Sequence, residues 1–154
     1  MNPRIRRLIA DHEQVSAALA SHPRIKLVGA EGSPPEQYVI EYQLAGLIPD
    51  AVGGFSRGTA HRAEIQLSLD YPRRPPFCRM VTPVFHPNID PQKICIGDHW
   101  NAGQSLLDLI VRIGQMIAYQ SYNVKSPLNA KAAVWAEQHE ADLPLEKVDL
   151  SPGT

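Results

Sequence analysis

The sequence predicts an α+β fold, and three observations carry that prediction. An amphipathic helical pattern stands first, short alternating runs follow it as a group, and two further helical patterns close the chain. Strands that run together, with helices before and after them, make an antiparallel meander. Residues 4–20 place Ile5, Leu8, Ile9, His12, Val15 and Leu19 at three- and four-residue spacing, with Arg6, Arg7, Asp11 and Glu13 expected on the opposite, solvated face. IKLVG and QYVIEYQLAG read as the first two strands, because Tyr38, Ile40, Tyr42 and Leu44 alternate with polar residues. PDAVGGFSRGT reads as a glycine-rich loop. HRAEIQLSLDY then alternates Ala63, Ile65, Leu67 and Leu69 as a third strand, and FCRMVTP makes a fourth, with Cys78 and Met80 on one face.

From Ile89 to Gly103 periodicity stops while Pro, Gly, Asn and Asp accumulate, which makes this segment an irregular loop. Ser105 followed by Asp108 resembles a capping box, opening a helix of nearly fifteen residues through Leu106, Leu109, Ile110, Ile113 and Ile117. YNVKSPLN breaks that pattern, and NAKAAVWAEQHEADL reads as a shorter third helix. The predicted organisation is one domain over residues 1–143 and a tail over 144–154, within the size range of a single core.

Composition narrows the function classes. Hydrophobic content of 44% and charged content of 20% fit a globular chain. A net charge of -1 gives no long-range attraction to phosphate backbones, so nucleic acid is not an expected partner. No apolar run has the length of a membrane span and the N-terminal residues turn polar early, so the expected setting is cytoplasmic, without membrane attachment. The two cysteines form no disulfide framework, and no CxxC or HExxH pattern supplies metal ligands.

Cys95 lies in the irregular loop HPNIDPQKICIGDHW, residues 86–100. As a residue between Ile94 and Ile96 it reads as a small packed hydrophobe, since free cysteine is often buried. As a loop thiol it reads as a nucleophile, with a nearby asparagine amide to stabilise an oxyanion. Asn88, taken alone, reads as a turn-former after proline.

The run YPRRPPFCRMVTPVFHPNI, residues 71–89, closely resembles the segment of ubiquitin-conjugating enzymes in which a YPxxPP turn leads through a strand to a His-Pro-Asn motif. Downstream, Cys95 takes the place of that family's catalytic cysteine, Trp100 that of its tryptophan before the second helix, and SPL, residues 126–128, that of the segment before the third. With the first helix and the meander, the resemblance spans roughly residues 4 to 140.

It implies the family's fold, with an active-site loop between the meander and two helices, and a thioester chemistry. Cys95 would accept the C-terminal carboxyl of a ubiquitin-like protein from an activating enzyme and lose it to an amine, usually a lysine of a protein substrate. No cofactor is implied at this step, because ATP is consumed upstream. By the same resemblance Asn88 holds the loop or stabilises the oxyanion, and His86 braces the turn. Basic residues on the first helix, here Arg4, Arg6 and Arg7, engage the activating enzyme.

This chain also departs from the pattern. Asn88 stands seven residues before Cys95, one fewer than the common spacing, and Ser126 occupies a position that is often acidic. A serine cannot deprotonate the incoming amine, and Asp98 and His99 are the local substitutes, set against a plain reading as solvated loop residues. Arg73 and NAGQ, residues 101–104, stand where members that bind RING-type ligases carry docking residues, so the need for a ligase is left open. The chain ends soon after its third helix, which resembles the stand-alone conjugating enzymes of bacterial modification systems, some directed against phage. Two other functions compete: a non-catalytic binding module of the same fold, and a small cysteine hydrolase pairing Cys95 with His99 or His86 and Asp98.

Overall fold

The computed structural model describes residues 1–96 and 100–152. The first helix, α1, spans Pro3–Ala20. Asn2 caps it by accepting a hydrogen bond from the Ile5 amide at 2.8 Å, and Pro3 sits in the first turn, where no N–H is needed. Leu8, Val15 and Leu19 face the core as the spacing predicts. Asp11 corrects the expectation of a solvated charged face, because it is buried with them. Its carboxylate is satisfied inside the protein: Tyr71 donates to it at 2.5 Å, Arg7 Nε at 2.8 Å and the Leu106 amide at 3.3 Å.

Four antiparallel strands form the main sheet in the order β1 (Ile25–Gly32), β2 (Pro35–Tyr42), β5 (His61–Gln66), β6 (Phe77–Met80). Between β2 and β5 lies a hairpin of β3 (Gly46–Pro49) and β4 (Phe55–Gly58). That hairpin was expected as loop alone, since its strands are four residues long and glycines interrupt them. His61 fixes its ends by donating from Nε2 toward the carbonyls of Leu44 and Gly58, both at 3.1 Å.

Register explains the layering. Tyr38 pairs with Ile65, which pairs with Cys78; Ile40 pairs with Ala63, which pairs with Met80. All six are buried, so the period-two reading is realised as one apolar face. Leu69 falls outside this face and is exposed, because β5 ends at Gln66. On the other face, the cross-strand partners Glu41 and Arg62 meet at 3.1 Å, and Glu64 and Arg79 at 3.1 Å.

Helix α2 (Leu106–Ile117) packs against the apolar face and is itself almost wholly buried. Ser105 caps it, accepting from the Asp108 amide at 3.0 Å, as the sequence pattern predicts. Tyr42 donates to the Ile110 carbonyl at 2.7 Å. Gly114 permits this approach, since a Cβ there would stand 3.2 Å from the Tyr42 ring and 3.0 Å from Leu150.

Helix α3 (Ala130–Gln138), capped by Asn129, covers a second cluster built on Leu47, Phe85, Tyr119 and Ala136, and a 3-10 turn follows at Glu140–Asp142. The segment after residue 143, expected as a tail, packs back onto the core. Leu150 is buried beside Gly114, where the Tyr42 ring also stands, Gln120 donates to the carbonyls of Glu146 and Val148, and Glu146 pairs with Arg24.

Candidate functional site

The site begins at the end of β6, where the chain turns through Phe85–Ile89. His86 is completely buried beneath the Tyr119 ring. Both of its nitrogens are used: Nδ1 accepts from the Asn88 amide at 3.0 Å, so Nε2 carries the proton and donates to the Ser121 carbonyl at 3.0 Å. Burial lowers its pKa to about 4, which fixes the neutral ring at physiological pH. His86 therefore braces the turn and offers no free nitrogen to Cys95.

Asn88 joins two segments that are far apart in sequence. Its Oδ1 accepts from the Asn123 amide at 2.9 Å and its Nδ2 donates to the Asn123 carbonyl at 2.9 Å. The Asn88 carbonyl accepts from the Cys95 amide, also at 2.9 Å. One side chain thus ties the cysteine loop to the chain that follows α2. One of its two amide N–H groups remains unused among the described residues.

Cys95 follows Ile94, whose amide bonds to the Cys78 carbonyl at 2.8 Å and whose backbone bridges Ile89. Ile94 and Ile96 are buried, and Cys95 between them is exposed. The isoleucines do the packing, so the small-hydrophobe reading of Cys95 does not hold. That reading describes Cys78 instead, whose thiol is fully buried and pushed far up in pKa by desolvation.

Cys95 opens onto a groove of about 560 Å³ that Asn88, Ser121, Tyr122, Asn123, Lys125 and Ser126 also line, together with Arg112, Met116, Val124 and Glu140. Ser126 is exposed with φ 50°, a left-handed backbone that turns the chain at the groove. Asp98 and His99 lie outside the described residues. Among the described residues no group of three His, Cys, Asp or Glu side chains could hold a metal ion.

The basic residues of α1 separate. Arg4 bonds Glu36 at 2.9 Å and the Ser68 carbonyl at 2.8 Å. Arg7 spans Asp11, the Tyr71 hydroxyl and the carbonyls of Ala102 and Gln104, with its guanidinium 5.2 Å from the Tyr71 ring centroid. Arg6 is exposed and belongs to none of the described ion pairs. Trp100 packs by Tyr71 and donates to the Pro72 carbonyl at 2.9 Å, anchoring the far end of the loop to the YPRRPP turn.

Of the residues the sequence singles out, Cys95, Asn88 and Ser126 line this groove and His86 is buried in the turn before Asn88, while the groove residues Asn123, Lys125 and Arg112 were not singled out. Asn123 is 35 residues from its partner, and no periodic pattern marks an irregular segment. The only local signal was the Asn-x-Lys turn, in which Asn123 Oδ1 accepts from the Lys125 amide at 2.8 Å.

The comparisons agree with this architecture. A solved structure named as a ubiquitin conjugating enzyme from Trypanosoma cruzi superposes with a TM-score of 0.64 at 21% identity, covering 89% of this chain and 92% of that one. Another, named as a ubiquitin conjugating enzyme from Plasmodium yoelii, gives 0.63 at 18% identity over 92% and 88%. At these identities the likeness establishes the fold. The family model for ubiquitin-conjugating enzymes matches residues 33–145, a span that holds three of the four strands of the main sheet, the Asn88 turn, Cys95 and the groove. On that match, covering well over half its length, the chain belongs to the ubiquitin-conjugating enzyme family.

Proposed function

We propose that the protein is a conjugating enzyme that carries a ubiquitin-like protein as a thioester on Cys95 and passes it to an amine, usually a lysine of a protein substrate. The observation that carries this reading is the exposure of Cys95 on a groove wall while its neighbours are buried and its backbone is held by Asn88. A thiolate suits both steps: it exchanges with the activating enzyme's thioester at little cost, and the resulting thioester is a good acyl donor to nitrogen.

In the first step the Cys95 sulfur attacks the thioester carbonyl carbon and the activating enzyme's thiolate leaves. In the second an amine attacks the same carbon, the C–S bond breaks and Cys95 departs as thiolate. Each passes through an oxyanion, and preorganised donors lower that barrier. The commitment of Asn88 to Asn123 supports a positioning role that keeps the loop fixed while acyl groups come and go. Ser126 supplies no carboxylate at the groove, so Asp98 and His99 are assigned to orient the amine or take its proton.

Arg6 is the residue of the basic stripe assigned to the activating enzyme, since Arg4 and Arg7 are engaged within the fold. The same reading places the protein in the cytoplasm, in a bacterial modification system of the kind directed against phage, on the resemblance described above. Among the described residues no helix is long and apolar enough to cross a membrane.

The test is to incubate the protein with ATP, an activating enzyme and its ubiquitin-like protein, then compare reducing and non-reducing gels for the wild type and Cys95→Ala. A reducible adduct that needs Cys95 supports the carrier. With a competent activating enzyme, its absence turns the reading to a non-catalytic binding module.

A further inference from the structure

Resting on the carrier reading, we infer that Tyr119 is a positioning residue for the reaction at Cys95, whose hydroxyl and left-handed backbone together hold the turn that carries His86 and Asn88. Among the described residues, two that are not glycine adopt a positive φ, Tyr119 at 59° and Ser126 at 50°. They bracket the segment whose Asn123 meets Asn88. For a bulky aromatic this backbone is unfavourable, because the Cβ crowds the following carbonyl oxygen.

Helix α2 ends in a Schellman motif. Beyond its cap, Ala118, the Tyr119 amide bonds the Met116 carbonyl at 2.9 Å and the Gln120 amide bonds the Gln115 carbonyl at 2.8 Å. Glycine is the usual residue at the left-handed position of that motif and carries no such strain. Ending the helix therefore does not account for a tyrosine, but the contacts of its side chain do. The hydroxyl donates to the Phe85 carbonyl at 2.7 Å, and the ring lies 4.8 Å from the His86 ring. Tyr122 and Trp135 pack on the same ring, which is buried.

Backbone and side chain act on one turn from two directions. The hydroxyl fixes Phe85, the residue before His86. The left-handed bend returns the chain so that the Ser121 carbonyl accepts from His86 Nε2 at 3.0 Å and both backbone groups of Asn123 reach the Asn88 side chain at 2.9 Å. The Asn88 carbonyl in turn accepts from the Cys95 amide at 2.9 Å. Tyr119 itself is buried while Ser121, Tyr122 and Asn123 line the groove, so it acts on the reaction through Asn88. Strain kept beside a site is a mark of geometry that the site uses, and a misplacement of about 1 Å can cost about 10² in rate.

The experiment loads Cys95 with a short peptide whose C-terminal glycine is a 2-mercaptoethanesulfonate thioester, then follows discharge to free lysine by mass spectrometry of the intact protein. Tyr119→Phe keeps the ring and removes only the hydroxyl. Tyr42→Phe is the matched control, since it removes another buried tyrosine bond to a backbone carbonyl, that of Ile110 at 2.7 Å, away from the Phe85–Asn88 turn. Rates are read on the loaded fraction, so partial unfolding lowers the amount loaded and leaves the rate alone. Tyr119→Phe should discharge with a maximal rate at least about tenfold lower and an unchanged half-saturating lysine concentration, while Tyr42→Phe stays within about twofold of the wild type. In the uncharged, 15N-labelled proteins the His86 ring N–H should exchange with water at least about tenfold faster in Tyr119→Phe than in Tyr42→Phe. Discharge at the wild-type rate, a slowing shared by Tyr42→Phe, a change confined to the half-saturating concentration, or equal His86 exchange in the two variants overturns the inference and leaves the carrier reading standing. Failure of the wild type to accept the peptide on Cys95 overturns both.

Discussion

His86 makes the protein acid-sensitive by a calculable amount. In the folded chain its Nδ1 accepts from the Asn88 amide and its pKa is about 4, whereas a solvated histidine titrates near 6.5. Below about pH 6.5 the unfolded chain takes up a proton at this position that the folded chain refuses until about pH 4. Stability therefore falls as pH drops through that window and this contribution levels off beneath it. The full difference of about 2.5 pH units corresponds to about 3 kcal/mol, of which about 2.5 kcal/mol is already lost at pH 4.5.

Urea unfolding at pH 7.0 and 4.5, for the wild type and His86→Gln, isolates that contribution. Glutamine offers a donor and an acceptor but does not titrate. The fall in stability between the two pH values should be smaller in the variant by about 2.5 kcal/mol, whatever its absolute stability, because other titrating groups, His61 among them, act equally in both proteins. An equal fall in both proteins, or an NMR titration of His86 near 6.5, would refute the argument.

Other outcomes follow from the same geometry. Cys95→Ser should trap an oxyester that resists thiol, and Cys95→Ala should carry no adduct through any residue; gels with and without reductant read both. Asn88→Ala should stay folded and charge normally, yet discharge to free lysine about 10² to 10³ times more slowly, a loss characteristic of one missing oxyanion donor or of the loop it fixes; unchanged discharge would reduce Asn88 to a turn residue. Arg6→Glu should weaken charging without slowing discharge from a preloaded thioester, whereas Arg7→Ala should cost about 2–3 kcal/mol of stability by leaving Asp11 buried without its cation. Leu150→Ala should cost about 2–4 kcal/mol in chemical denaturation, where a solvated tail residue would cost almost nothing.

How far the sequence could be read depended on whether a residue's partner was local. Tyr38, Ile40, Ala63, Ile65, Cys78 and Met80 announced themselves by alternation, because the pleat forces a period of two on any strand with one buried face. Ser105 announced α2 because a cap is a contact three residues long. Cys95 and Asn88 were visible through motif resemblance, and periodicity said nothing about them. Asp11 was misplaced, since an acid in an amphipathic pattern belongs outside unless something distant satisfies it, and here Tyr71 and Leu106 do. Asn123 and Lys125 were overlooked for the same reason, as was the return of Leu150 to Tyr42, where the pairing crosses the core.

That last contact shapes how the chain comes to be folded. Leu150 and Tyr42, 108 positions apart, converge on Gly114, and Glu146 holds Arg24 and the Ala45 amide. A nascent chain cannot complete the space beneath β2 and α2 until the segment carrying Leu150 has left the ribosome, so the core closes late, through contacts of high sequence separation that slow folding. Until then the apolar seam around Gly114 stands open to water and to other chains. The newly made protein depends for that interval on keeping the seam protected.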